Sequence, residues 1–332
     1  MKSEKKIAVI GGGSWATALV KIFSNNCENI NWWLRNPDAV KFIQTNHHNP
    51  AYLSDVEIDL KKVNPSSSFQ ETISNAAIVI LAVPSAFLKE VLAEADKELL
   101  KSKIIFSAIK GIVPDELLIV GEFLNRVYEI PISNIGVITG PCHAEEVALE
   151  KLSYLTVACQ DMSKASELAA LMNCRYIQTT VSDDIYGTEY SAVIKNIVAI
   201  ASGICHGLGY GDNFQAVLIT NAIQEIKRFL DAVSPISRDI NDSAYLGDLL
   251  VTAYSQFSRN RTFGSMIGKG YSVKSAQMEM NMVAEGYYAV RCIYELNKKY
   301  GVSLPVCDAV YHILYEQKNS RVEMKTLSDI LK

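Results

Sequence analysis

Lys6-Ile-Ala-Val-Ile-Gly-Gly-Gly-Ser-Trp-Ala-Thr-Ala-Leu19 is the stretch on which the reading of the fold turns. Ile7–Ile10 has strand composition, runs directly into Gly11-Gly12-Gly13-Ser14-Trp15-Ala16, and is followed by Thr17–Phe23, which has helical composition. A strand, a glycine turn and a helix in immediate succession are the context in which such a turn binds a dinucleotide. Gly11 permits the tight turn, and Gly13 lets backbone N–H groups approach a pyrophosphate. The helix start adds partial positive charge. Ala16 replaces the third glycine, a small-residue variant that the fingerprint allows. The alternative is a plain structural loop. Lys2, Lys5 and Lys6 ahead of an apolar stretch resemble a signal peptide, but the glycine run would interrupt its helix.

Working outward, short apolar runs recur at Lys6–Ile10, Ile30–Leu34, Ala77–Val83, Ile104–Ile109, Ile135–Thr139, Tyr154–Ala158 and Tyr176–Thr179, separated by segments of helical length. Alternation of strand and helix predicts a Rossmann-like, doubly wound, mostly parallel α/β sheet. After Ser182 the pattern becomes helical, so the expected domains are a dinucleotide-binding domain over 1–182 and an all-helical substrate domain over 183–332. Gly/Asn turns are expected at Gly207–Asn213 and Gly264–Gly270. Length supports the division, since 332 residues suit about two domains. An apolar share of 49 % with 20 % charge excludes a disordered or fibrous chain. No apolar run approaches the roughly 20 residues of a membrane span. The net charge of -4 gives no basic field for nucleic acid or anionic lipid, so an anionic ligand must be held by local cations. Seven scattered cysteines, an odd number without a C-x-x-C pair, argue against disulfides and zinc and suit a reducing cytoplasm. His47-His48 is the only close histidine pair, and neighbours in sequence do not share a face; no metal is expected.

Charges that stand alone in apolar surroundings mark candidate chemistry. Tyr190–Gly211 contains one formally charged residue, Lys195. On a helical wheel Val193, Ile197, Ile200 and Ile204 form one stripe, while Lys195 faces the other way among Thr188, Ser191, Ala192, Ala199 and Ser202. Small neighbours leave room for a ligand beside the ammonium, and burial would lower its pKa; the plainer alternative is a snorkelling lysine. Lys110 is the only charge in Ile104–Val113 and Asp248 the only one in Ala244–Thr252. Each is equally readable as half of a structural ion pair, and a buried carboxylate demands a cation. Ser258-Arg259-Asn260-Arg261-Thr262-Phe263-Gly264 reads as a polar turn ahead of a helix, suited to a phosphate dianion or simply solvated. At the end of the second strand, Trp33-Leu34-Arg35-Asn36 places Arg35 where NAD-selective folds place a carboxylate. A guanidinium there admits the 2′-phosphate of NADPH; a solvated surface arginine is the alternative.

Taken together, these motifs resemble the NAD(P)-dependent glycerol-3-phosphate dehydrogenases over nearly the whole chain. Besides the glycine turn, the resemblance rests on Val83-Pro-Ser85, Lys110-Gly111, Gly140-Pro-Cys-His-Ala-Glu-Glu146, Val193-Ile-Lys-Asn196, Gly209-Tyr-Gly-Asp-Asn213, Leu246-Gly-Asp-Leu249, Ser258–Gly264 and Val283-Ala-Glu-Gly-Tyr287. It implies reversible NAD(P)H-dependent reduction of dihydroxyacetone phosphate to sn-glycerol 3-phosphate, supplying glycerophospholipid synthesis. It implies Lys195 as the proton-transfer residue with Lys110 and Asp248 beside it. Substrate contacts are implied for Lys110, Gly140, Cys142, Lys195, Asp248, Ser258, Arg259 and Asn260. Contacts to NAD(H) or NADP(H) are implied for Gly11, Gly13, Ser14, Trp15, Arg35, Lys110, Ala144, Arg259, Val283 and Glu285. The expected assembly is a cytoplasmic homodimer.

Three positions depart from the family pattern: Cys142 stands where Ser or Thr is usual, and Gln215 and Asn221 stand where a basic residue is frequent. Two other readings compete. One is a 3-hydroxy acid or 6-phosphogluconate dehydrogenase of the same architecture, which also uses a Lys-Asn pair; Asp248 and Arg259-Asn260 argue against it. The other is a nucleotide-sensing module without turnover, opposed by the retention of destabilising lone charges.

Overall fold

The computed structural model describes residues 6–280 and 284–332. Among these, the chain divides into two compact units. One comprises the chain up to Ile109 together with Val120–Ile185; the other comprises Lys110–Ile119 with Tyr186–Lys332. A single cut near residue 183 does not anticipate the short excursion at Lys110–Ile119.

The first unit carries an eight-stranded sheet built from β1 (Ile7–Ile10), β2 (Ile30–Trp33), β3 (Val63–Ser66), β4 (Ile78–Leu81), β5 (Ile104–Ser107), β8 (Ile135–Thr139), β9 (Ser153–Cys159) and β10 (Ile177–Ser182). The spatial order β3-β2-β1-β4-β5-β8 is all parallel, the doubly wound arrangement in which strand order reverses between β1 and β4. β9 then runs antiparallel to β8, with β10 parallel to β9 at the outer edge. Both faces of β1 and β4 are buried, which is why their sequences are unbroken apolar runs rather than alternating ones. Expectation and structure part at β3. Val63-Asn-Pro-Ser66 has poor strand composition, yet it forms the opposite edge, where a proline costs least because one side of the strand needs no donor.

Among its described residues the second unit is helical apart from a two-stranded hairpin of β6 (Ile112–Val113) and β7 (Leu118–Ile119). Its centre is the helix Ile185–Gly207, which is buried on nearly every side, as its almost uncharged sequence requires. The turn expected at Gly264–Gly270 is instead mostly helix, Arg259–Gly268, and its glycines serve close packing. A Cβ on Gly264 would lie 2.1 Å from the Ile200 carbonyl oxygen, one on Gly268 2.3 Å from that of Ile204, and one on Gly203 2.0 Å from that of Arg261. Helices Ile185–Gly207 and Arg259–Gly268 therefore touch backbone to backbone, through glycines four apart on each. Gly264→Ala should cost about 3 kcal/mol or more, the upper range for overpacking, and lower Tm by about 6 °C or more. Gly13→Ala should lower Tm much less, because its Cβ would meet nothing within 4 Å and only the N-cap preference for glycine is lost; thermal unfolding of the two variants checks the contrast.

Candidate active site

In the first unit, parallel strands deliver their carboxyl ends to one edge of the sheet, and the glycine turn follows β1 where the strand order reverses. Gly11 adopts φ +137°, and a Cβ there would stand 2.4 Å from the Ala82 carbonyl oxygen that follows β4. Glycine is thus required on two counts. Gly13 is different. It is the N-cap of helix Ser14–Phe23, has extended backbone angles that any residue adopts, and has open space where a side chain would be. No side chain caps this helix, so the space beside Gly13 and the N-terminal dipole together fit a diphosphate. Ser14 and Trp15 form the first turn; the Trp15 indole Nε1 is buried without a hydrogen-bond partner among the described residues. Ala16 is fully buried, as close helix packing against the sheet demands.

Arg35 lies just past β2 with its guanidinium 5.7 Å from the Phe87 ring centre and 3.8 Å from the Glu90 carboxylate. Both charged side chains are two-thirds exposed, so the pair adds little stability and the arginine is held mainly by its aromatic neighbour. Gly140, Cys142 and Ala144 follow β8 on the same sheet edge, Ala144 opening the helix Ala144–Ala148.

The second unit assembles three lone charges into one cluster. Asp248 accepts from Lys195 Nζ in a short ion pair and from Lys110 Nζ at 3.2 and 3.3 Å. Lys195 and Asp248 are 3 % and 1 % exposed, Lys110 19 %. Lys195 also donates to Thr252 Oγ1 at 2.9 Å, while that hydroxyl donates to the Asp248 carbonyl at 2.7 Å. Asn196 Nδ2 fixes the Lys110 carbonyl at 2.8 Å. Two cations on one carboxylate leave the cluster with a net positive charge. Burial, with Lys110 adding to it, outweighs the attraction of Asp248 and lowers the Lys195 pKa to about 7. Burial alone would raise Asp248, but Lys110 and Lys195 overcome it and hold the carboxyl below its ordinary range.

Asp248 is aimed by an unusual piece of backbone. Ser243–Gly247 forms a π-helical turn immediately before helix Asp248–Tyr254, a distortion that recurs at functional sites. The small face expected to leave room beside Lys195 is partly used to admit this helix: Ser202 donates to the Ala253 carbonyl at 2.9 Å. Thr252 was not singled out from sequence, although its position four residues after Asp248 places it on the same helical face.

Arg259, Asn260 and Arg261 lie inside the first turn of helix Arg259–Gly268 rather than in a turn ahead of it. Ser258 is the N-cap, accepting from Arg261 N at 3.3 Å. Arg259 is exposed. Asn260 is buried, and its Oδ1 accepts from Gly286 N at 2.9 Å, tying this turn to the start of helix Glu285–Tyr300, which Glu285 opens. Val283 lies outside the described residues. Gln215 is buried and donates to the Ser202 carbonyl at 2.9 Å, while Asn221 donates to the Lys332 carbonyl at 2.8 Å. At two positions where the family frequently has a basic residue, Gln215 thus bonds inside the helical unit and Asn221 ties down the last residue at the surface. His48 Nδ1 sits 3.1 Å from the Val56 carbonyl. All seven cysteines are free thiols, and no described helix is long and apolar enough to cross a membrane.

Residues 6–165 match the family model for the N-terminus of NAD-dependent glycerol-3-phosphate dehydrogenase, and 184–325 match the model for its C-terminus. The glycerol-3-phosphate dehydrogenase [NAD(P)+] of Exiguobacterium sp. is 36 % identical over 323 residues, covering 97 % of this chain and 94 % of the relative. That of Bacillus subtilis is 34 % identical over 326 residues, with 97 % and 94 % covered. The crystal structure of the Coxiella burnetii glycerol-3-phosphate dehydrogenase superposes with a TM-score of 0.90 at 26 % identity, covering 98 % of this chain and 99 % of that one. A D-mandelate dehydrogenase, at 18 % identity and a TM-score of 0.61, shares the fold alone. With both halves matched in order and its relatives covered nearly end to end, the chain belongs to the NAD(P)-dependent glycerol-3-phosphate dehydrogenase family.

Proposed function

We propose that this chain interconverts dihydroxyacetone phosphate and sn-glycerol 3-phosphate through Lys195, Asp248 and Lys110, with NAD(H) or NADP(H) as cofactor. The observation that carries the residue assignment is the buried cluster itself, a lysine lowered to about 7 and held by a carboxylate that a second lysine shares. The nicotinamide supplies or accepts the hydride. Lys195 gives its Nζ proton to the alkoxide forming at C2 of the ketone, and its charge with that of Lys110 stabilises this oxygen beforehand. Asp248 and Thr252 orient the ammonium. In alcohol oxidation the path reverses: Lys195 begins neutral, takes the proton of the C2 hydroxyl as hydride leaves C2, and later releases that proton to solvent.

Within the same proposal, Arg259, with Ser258 and Asn260, holds the substrate phosphate at a helix N-terminus. Gly140 and Cys142 join the substrate contacts. Gly11, Gly13, Ser14, Trp15, Arg35, Lys110, Ala144, Arg259, Val283 and Glu285 are the proposed cofactor contacts, on the strength of the sequence resemblance and, for the glycine turn, of its geometry. The product supplies the glycerol phosphate backbone of glycerophospholipids. A cytoplasmic homodimer without affinity for nucleic acid completes the reading; free thiols and a net charge of -4 support the compartment and the lack of a nucleic-acid field. Oxidation of NADH and NADPH followed at 340 nm, with dihydroxyacetone phosphate set against a panel of keto acids, tests the substrate assignment; equal rates with an unphosphorylated keto acid would overturn it.

Lys195→Met, which fits the apolar helix, should lower kcat by about 10²–10⁴-fold or more while NADH binding persists. Retention of more than about a tenth of wild-type kcat would remove Lys195 as proton donor. The pH dependence has a definite sign. Ketone reduction requires protonated Lys195, so kcat/KM for dihydroxyacetone phosphate should fall as pH rises through about 7, while alcohol oxidation should rise. Lys110→Met removes a neighbouring positive charge and should shift that inflection upward. Arg259→Ala should raise KM for dihydroxyacetone phosphate about a hundredfold, the value of a charge-assisted bidentate contact, with a much smaller change in NADH affinity by calorimetry.

A further inference from the structure

The glycine turn contributes no side chains of its own, so something else must fix the direction of its peptide planes. The structure gives each of the turn's three carbonyls a side-chain donor, and Gly13 O also accepts the first hydrogen bond of the helix, from Thr17 N at 3.0 Å. Trp32 Nε1, on β2, donates to Gly11 O at 2.7 Å. Asn49 Nδ2 donates to Gly12 O at 3.0 Å. Thr17 Oγ1, on the helix that the turn begins, donates to Gly13 O at 3.1 Å and accepts from Asn49 Nδ2 at 2.9 Å. Trp32 and Thr17 are fully buried and Asn49 is 2 % exposed. The peptides are trans, and in a planar trans peptide the N–H points opposite to the C=O. Each carbonyl tied in this way turns the N–H of the next residue, Gly12, Gly13 or Ser14, away from its donor.

We propose that Asn49 is a positioning residue for the dinucleotide, acting with Thr17 and Trp32 to hold the glycine turn in its diphosphate-binding orientation before the cofactor arrives. The proposal rests on the reading of this turn as the cofactor site. Asn49 lies in the loop after helix Pro37–Asn46, outside the residues that the glycine motif itself contains. Its side-chain amide is fully used. Nδ2 serves Gly12 and Thr17, while Oδ1 accepts from Ala51 N at 3.0 Å and Tyr52 N at 3.2 Å, folding its own loop. The two halves of one amide thus have separate tasks, one local and one directed at the turn. Flexible glycines freed from these donors would spend part of their time with a carbonyl oxygen facing the diphosphate, and affinity falls by the fraction of time so spent.

Asn49→Asp separates the two tasks, because a carboxylate still accepts from Ala51 N and Tyr52 N but has no donor for Gly12 O or Thr17 Oγ1. Thr17→Val removes the hydroxyl without adding charge, and Thr17→Ser restores it. Kd for NADH by calorimetry, kcat at saturating NADH and Tm are measured on each full-length variant. Expected are an NADH Kd raised about tenfold or more in Asn49→Asp and Thr17→Val, the value of one or two lost hydrogen bonds. Thr17→Ser should keep wild-type affinity, and kcat at saturation should stay within about threefold throughout, since chemistry is untouched once the turn is filled. A merely structural amide would lower Tm and leave Kd unchanged, and that result overturns the proposal. Should Asn49→Asp fail to fold, equal NADH affinity in Thr17→Val and Thr17→Ser overturns it instead. Failure of the wild-type chain to bind NADH would overturn the cofactor reading and the proposal together, an outcome distinct from variants that bind as well as a competent wild type.

Discussion

The second unit holds a costly arrangement, the buried pair of Lys195 and Asp248 with a second, partly exposed lysine, Lys110, on the same carboxylate. Each ion loses several kcal/mol of hydration on entering such an environment. A carboxylate with two lysines recovers part of that through attraction, but the surplus positive charge remains. Hydrophobic replacements of the same size would serve stability better. In the role proposed for it, the cluster would meet a substrate that brings negative charge, first as a polarised carbonyl and then as an alkoxide. The rest of the unit follows from this demand: an uncharged central helix, a π-helical turn that aims the carboxylate, and a threonine placed one helical turn beyond it.

Much of this was legible because buried charge is conspicuous in sequence. Lys195, Lys110 and Asp248 each stand alone in apolar stretches of three separate segments, and the need of Asp248 for a cation could be read there, while their grouping came from the family resemblance. Their meeting is a tertiary fact that no single segment contains. The parallel sheet was equally legible, since strands covered on both faces are written as unbroken runs of Val, Ile and Leu. β3 was not, because an edge strand carrying Pro65 has little apolar surface to bury and takes its place from the pairing offered by β2.

Glycine was the ambiguous letter. At Gly11 its meaning was plain from the strand before it. At Gly264 and Gly268 the same residue suggested a turn, whereas the structure uses its missing side chain inside a helix. Composition cannot separate these uses, because one concerns backbone angles and the other the approach of a helix distant in sequence. Asn49 was hidden for a related reason. Its effect on the turn passes through a carbonyl 37 residues earlier, and an isolated asparagine in a loop carries no pattern.

The glycine contact between helices Ile185–Gly207 and Arg259–Gly268 has a metric consequence. One helix carries the ammonium of Lys195, and the other begins with the guanidinium of Arg259. Because their main chains touch, no side-chain rearrangement can slide one helix past the other without a collision of carbonyl oxygens and α-carbons. In the roles proposed for Lys195 and Arg259, the two helices would act as the fixed jaws of a caliper, gauging the spacing between the reacting oxygen and the anionic end of a substrate by backbone rather than by adjustable side chains. Selection by carbon count would then be a property of the scaffold, set when the helices pack and before any substrate enters.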